Sequence, residues 1–228
     1  AALRRAHLVV ANGSGLEGGL RRRLGSARSD GTRIIEVAPS AAPRPGPDGD
    51  PDPHFWNDPR RMELAVRVIA DALGAHLDAP AARRVSARAT AYRAVLRRED
   101  RRIRTRLRGI PVKQRVIVTN HHVLGYFAHR YRFRVVGAVV PGTSTLAAPS
   151  PADLAALART IRRERVRAIL VDSSSPRRLA DALAREADTP VRVQSIYSES
   201  LGPRGSAAGT YLGMLRYNTT RIIDAVRG

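Results

Sequence analysis

Between residues 80 and 107 the apolar side chains Val85, Tyr92, Leu96, Ile103 and Leu107 recur at alternating steps of seven and four. That spacing keeps them on one stripe of a single continuous helix. At 1.5 Å per residue such a helix runs for about 40 Å. Asp78 can cap its start, and Gly109 and Pro111 end it. A coiled-coil dimer and a strut laid across two lobes both satisfy the seam. It is only about four heptads long and is flanked by globular segments on both sides, which favours the strut.

The flanking patterns differ. Ahead of the helix, residues 6–11 read as a short buried strand stopped by Asn12-Gly13-Ser14-Gly15, and a helix could open at Leu16-Glu17 and run to Leu24. Residues 32–37 form a second strand. Residues 39–53, dense in Pro, Gly and Asp, make a long loop that could serve as a lid. Asp58 then caps a helix with Pro59 at its first position, and Met62, Val66, Ile69 and Leu73 give it an apolar stripe. Behind the long helix, strands at 115–119, 135–139, 168–171 and 191–194 alternate with helices at 123–131, 151–164, 177–187 and 210–226. Strands separated by helices imply a parallel sheet covered on both faces. The expected architecture is α/β: two lobes, each with a mainly parallel sheet flanked by helices, joined by one long helix. The amino-terminal lobe takes 1–78, the helix 79–108, and the carboxy-terminal lobe 109–228.

Composition removes several function classes. No apolar run approaches the roughly 20 residues that span a bilayer, and the absence of cysteine excludes disulfides, thiolate metal sites and Cys nucleophiles. A formal charge of +20 invites a nucleic-acid reading. The charge is almost all arginine, however, with Lys113 the single lysine, and it is scattered over every predicted helix. Aromatics at 4% are few for a base-stacking platform. An arginine-rich solvated surface accounts for the composition, and no nucleic-acid partner is expected.

Two histidine motifs carry the chemistry: Asp52-Pro53-His54-Phe55-Trp56-Asn57-Asp58-Pro59, and Thr119-Asn120-His121-His122-Val123-Leu124-Gly125-Tyr126-Phe127. Taken locally, His54 also suits a turn histidine bonded to backbone, and His121-His122 a polar helix start. Adjacent residues diverge in such a turn, so only one of the pair points into a cleft. His7, His76 and His129 read as surface or unassigned. Two carboxylates, Asp172 and Glu199, follow predicted strands, as His121 does. Parallel sheets bind ligands beyond the carboxyl ends of their strands, so one cleft could hold all three. Imidazoles with carboxylates suit zinc, or manganese where oxygen donors dominate. Nucleophilic catalysis finds little support, because Ser173-Ser174-Ser175 is not a Gly-x-Ser-x-Gly elbow, Gly142-Thr143-Ser144 has no neighbouring base, and no phosphate loop is present.

The order of these motifs resembles the metal-binding solute-binding proteins of zinc and manganese ABC transporters, including the streptococcal-type adhesin lipoproteins. His7-Leu8-Val9-Val10-Ala11-Asn12-Gly13 with Leu16-Glu17 is similar to the family's strand and Asn-Gly turn. The motif around His54 is similar to its Asp-Pro-His-x-Trp-x-Asp-Pro ligand motif, and Asn120-His121 with Gly125-Tyr126-Phe127 to its third ligand motif. Pro149-Ser150 with Leu154 and Leu157, the segment 197–202, and Thr210-Tyr211 with Met214 and Asn218 continue the match.

The resemblance implies a two-lobed binding protein whose rigid helix limits hinge closure. His54, His121 and Glu199 would hold a zinc ion, or alternatively manganese, in the interlobe cleft, with Asp172 and His122 as supporting or alternative groups. It implies no enzyme, an extracytoplasmic location as a periplasmic or membrane-anchored protein, an ABC transporter permease as partner, and a monomer. Affinity should fall below about pH 6 as imidazoles protonate. Two departures stand out: the family's upstream Asp-Pro-His ligand has no counterpart, so the resemblance implies an amino-terminal lobe that is incomplete and short of one imidazole, whether the sequence is a fragment or an abbreviated version, with an apolar sheet edge expected to be uncovered, and Glu199 replaces the usual Asp. The histidine-rich loop of some zinc importers is also missing. Three ligands with an open position equally describe a zinc-dependent hydrolase, for which Asp172 is the candidate base. An arginine-rich nucleic-acid module is the remaining alternative.

Overall fold

The computed structural model describes residues 3–140 and 149–227; the Gly142-Thr143-Ser144 stretch lies outside them. The chain forms two compact units, residues 1–45 with 50–100 and residues 46–49 with 101–228, and the division falls inside the long helix.

In the first unit β1 (Leu8–Ala11) pairs in parallel with β2 (Arg33–Glu36), with Leu8 opposite Arg33 and Ala11 opposite Glu36. The helix between them, α1 (Arg21–Ser29), starts later than the sequence suggests and runs further. Gly18-Gly19 lowers helix propensity there, and Gly18–Leu20 forms only a 3₁₀ turn. The strand expected to be buried is half-exposed, because a two-stranded sheet covers little: Val10 is 45% exposed, and Leu16 and Leu20 are comparably open.

Helix α2 (Pro59–Gly74) begins as read, with the Asp58 carboxylate accepting from the Arg60 amide at 2.8 Å and Pro59 in the first turn. Its most buried positions are not the predicted stripe, whose members are half-buried, but Glu63 on one side and Ala65 and Ala72 on the other. Helix α3 (Ala79–Leu107) is the predicted long helix, opened by Asp78, whose carboxylate accepts from the Ala81 amide at 2.7 Å. Leu96 is buried, and Ile103 and Leu107 belong to the core of the second unit.

The second unit is a four-stranded parallel sheet in the order β4-β3-β5-β6, made of β3 (Val116–Thr119), β4 (Arg134–Ala138), β5 (Ala168–Asp172) and β6 (Arg192–Ile196). The connecting helices are α4 (Gly125–Tyr131), α5 (Pro151–Glu164), α6 (Arg178–Glu186) and α7 (Tyr211–Arg227). Strand alternation sorts the side chains onto two faces. Ile117, Ala168, Leu170 and Ile196 pack with α3, α4 and α7. Val116, Val118, Ile169 and Val171 pack with α5 and α6. The chain leaves β3 for β4 on one side and returns to β5 on the other, so the topological switch point lies between β3 and β5, at whose carboxyl edge such sheets bind ligands.

Arg115 ties this sheet to its helices. Its guanidinium donates to the carbonyls of Leu107 and Tyr131, each at 2.6 Å, and of Ile110 at 3.1 Å, and it lies 5.9 Å from the Phe133 ring centre. Two of these carbonyls close α3 and α4, where helices leave acceptors unpaired. Arg115→Ala is expected to destabilise the protein by about 2 kcal/mol, read as a lower urea midpoint with an unchanged slope.

Candidate metal centre

His54 is presented by a braced turn. The Glu17 carboxylate accepts from the amides of Asn12, at 2.5 Å, and Gly13, at 3.0 Å. Gly13 sits at φ +82°, and a Cβ there would lie 2.9 Å from Glu36 Cβ, so the turn needs glycine. The Asn12 side-chain amide donates to the Pro53 carbonyl at 3.1 Å, fastening the segment that carries His54 to the end of β1. The His54 ring is 2% exposed, with Nδ1 2.7 Å from the Asp52 carboxylate, which also accepts from the His54 amide at 2.9 Å. Trp56 stands edge-on, its ring centre 5.2 Å away. A carboxylate at Nδ1 favours the proton there, leaving the Nε2 lone pair for a metal.

In the second unit His121 lies two residues beyond β3 and is fully buried, and its Nε2 is 3.2 Å from Oε1 of Glu199, whose side chain is 32% exposed. Two donor atoms each about 2.0–2.2 Å from one metal lie about 3.0–3.5 Å apart, so this pair already has the spacing of two ligands on one ion. The neighbouring His122 is only half-buried, as expected for adjacent residues that diverge.

Asp172, the last residue of β5, organises the loops around this pair. One carboxylate oxygen accepts from the Ser174 amide, at 2.8 Å, and hydroxyl. The other accepts from the Ser198 amide at 2.8 Å, its hydroxyl at 2.7 Å and the Glu199 amide at 3.1 Å. Burial alone would raise the Asp172 pKa, but the bonds from Ser174 and Ser198 outweigh it and hold the carboxyl below its ordinary value. An acid so committed is a poor general base. Asn218 of α7 completes the support, accepting from the Tyr197 amide at 2.9 Å and donating to the Tyr197 carbonyl at 2.6 Å.

His7, His76 and His129 are all exposed. Sequence reasoning did not give roles to Asp52, Glu17 or Ser198. The Asp-Pro-His spacing carries a signal for Asp52, since a carboxylate two residues before an imidazole, across a proline, can reach its ring. Nothing local marks Ser198, whose partner is 26 positions away.

The family model described as ZnuA, zinc-uptake complex component A, periplasmic, matches residues 1–225. The zinc-binding protein TroA of Treponema pallidum is 29% identical over 229 residues, covering 97% of this chain and 73% of the relative. The manganese-binding lipoprotein MntA of Bacillus subtilis is 29% identical over 234 residues, covering 97% and 74%. Among solved structures, the periplasmic zinc-binding protein TroA from Treponema pallidum superposes with a TM-score of 0.89 at 28% identity, covering 98% of this chain and 82% of that one. The Mn-bound periplasmic metal-binding protein from Candidatus Liberibacter asiaticus gives a TM-score of 0.84 at 25% identity, with coverage of 98% and 82%.

Proposed function

Since the chain belongs to the family of ZnuA, the periplasmic component of zinc-uptake complexes, we propose that it captures a divalent metal ion outside the cytoplasm and delivers it to the permease of an ABC importer. The ion is zinc, or alternatively manganese, and His54, His121 and Glu199 are its protein ligands. The observation that carries this reading is the His121–Glu199 pair, set at 3.2 Å on the carboxyl edge of the parallel sheet. The Asp52-oriented ring of His54 supports it independently.

The family consists of solute-binding proteins rather than enzymes. The hydrolase alternative also loses its base, because both oxygens of Asp172 are taken up by Ser174, Ser198 and Glu199. The protein acts as a monomer with no nucleic-acid partner. Among the described residues no helix is long and apolar enough to cross a membrane, so attachment to one would rest on other means.

Zinc and manganese titrations of metal-stripped protein by calorimetry, paired with melting curves, test the proposal. One ion per chain is expected to bind, with stabilisation of about 4 kcal/mol at a free metal concentration a thousand times Kd. His54→Ala and His121→Ala are each expected to weaken zinc binding about a hundredfold or more, since each removes a ligand from a set of three. Variants that bind zinc as the parent does would sink the ligand assignment.

A further inference from the structure

The opposite edge of the same sheet carries a different chemistry. At the amino ends of β5 and β6, where α5 terminates, a cavity of about 730 Å³ is lined by Arg162, Arg165, Arg167 and Arg192, together with Thr189. No carboxylate lines it, and none of the four arginines forms an ion pair with a carboxylate among the described residues. Three of them are instead held by neutral acceptors at helix ends. Arg162 donates to the Glu186 carbonyl at 3.1 Å, Arg192 to that of Asp224 at 3.2 Å, and Arg167 to that of Arg227 at 3.5 Å. These bonds orient the guanidinium groups without neutralising them.

From this arrangement we infer that the cavity is a binding site for an anion bearing more than one phosphoryl group. Guanidinium forks match phosphate oxygens in bidentate fashion, and their charge strengthens each hydrogen bond. The volume falls in the range of small-molecule pockets rather than of a single ion, which selects a ligand with several phosphate oxygens to share among four cations. No aromatic side chain lines the cavity, so it offers nothing on which a base could stack. That points to the phosphate groups alone and away from nucleic acid. Three of the four arginines are exposed and Arg167 is half-buried, so the site is an open one; a complement to the helix dipoles would account for one cation at each helix end, but not for four lining one pocket without an acid. The site is separate from His121 and Glu199, which follow the carboxyl ends of β3 and β6.

Pyrophosphate is the probe, titrated by calorimetry into the full metal-free chain at constant ionic strength. The parent is expected to bind it at one site, and Arg165→Gln combined with Arg192→Gln to weaken binding at least about tenfold, as loss of charge-assisted bonds implies. A charge-matched control, Arg84→Gln with Arg88→Gln in α3, is expected to bind as the parent does. A second arm uses vesicles containing cardiolipin, a lipid with two phosphates in its headgroup. Sedimentation with them, competed by pyrophosphate and lost in the Arg165/Arg192 variant, assigns a lipid headgroup as the source of the phosphate; pyrophosphate binding without vesicle binding assigns a soluble one. Absence of binding in both arms overturns the inference, as does equal weakening in the control, which would reduce it to overall charge. Melting curves of both double variants establish that each is folded.

Discussion

Asp172→Ala is expected to destabilise the metal-free protein by about 2–4 kcal/mol, because it leaves the buried amide and hydroxyl of Ser198, and the partly buried amides of Ser174 and Glu199, without their acceptor. The amides of Ser174, Ser198 and Glu199 all end on this carboxylate, and Ser198 is fully buried. Asp172→Asn should cost less. It keeps one oxygen for the Ser198 side but turns an NH₂ group toward the Ser174 amide. Urea unfolding of both variants without metal gives the comparison. The folded carboxyl lies below its ordinary value, so its contribution is present above the unfolded aspartate pKa and is lost as pH falls through the folded one. The gap between parent and alanine variant should therefore narrow in acid below about pH 4. Zinc affinity should fall about 10–100-fold, the usual consequence of removing a group that positions a ligand, since Glu199 loses its amide anchor. A variant within 1 kcal/mol of the parent, with zinc binding intact, would mean that Asn218 suffices to hold the loop.

How far the sequence revealed this arrangement varied with the range of the interaction. Helix α3 was readable because its signal is periodic and its caps are local: Asp78 at the start, Gly109 and Pro111 after the end. The four-stranded sheet was readable because continuous apolar runs such as Ala168 to Val171 fit strands buried on both faces. The start of α1 was misjudged where Gly18-Gly19 outweighed the cue from Leu16-Glu17. Burial of β1 was overestimated because hydrophobicity alone does not say how many neighbours a strand will find. The expectation for His54 rested on its motif, and that for His121 and Glu199 also on their position after strands. Their supports, Asp172 to Ser198 and Asn12 to Pro53, join residues 26 and 41 positions apart, and no local pattern encodes such pairings. Asp172 was read as a supporting group or a base, and the structure explains its burial by the five donors it satisfies.

Glu63 illustrates the same limit in the first unit, and Glu63→Ala is expected to cost about 2–4 kcal/mol. The periodic reading of α2 passed over this residue, since a carboxylate does not belong to an apolar stripe, yet it is 5% exposed. It is held there by Arg60 one turn earlier and by Arg93 and Arg97 of α3, Arg93 at 3.4 Å. Ala65 and Ala72 lie on the other side of α2, so at Glu63 the helix meets α3 through this ionic cluster. Removing the carboxylate leaves three guanidinium groups facing one another. Arg60 and Arg97 are 41% and 38% exposed and can turn toward water, which keeps the cost below that of a fully enclosed triad. The discriminating measurement is a double-mutant cycle in urea with Arg93→Met, the least exposed of the three at 28%. A coupling energy of about 1–2 kcal/mol is expected between Glu63 and Arg93. A cycle that closes near zero, with Glu63→Ala unfolding at the parent's midpoint, would show that the cluster is solvated and that helix packing alone holds α2 to α3.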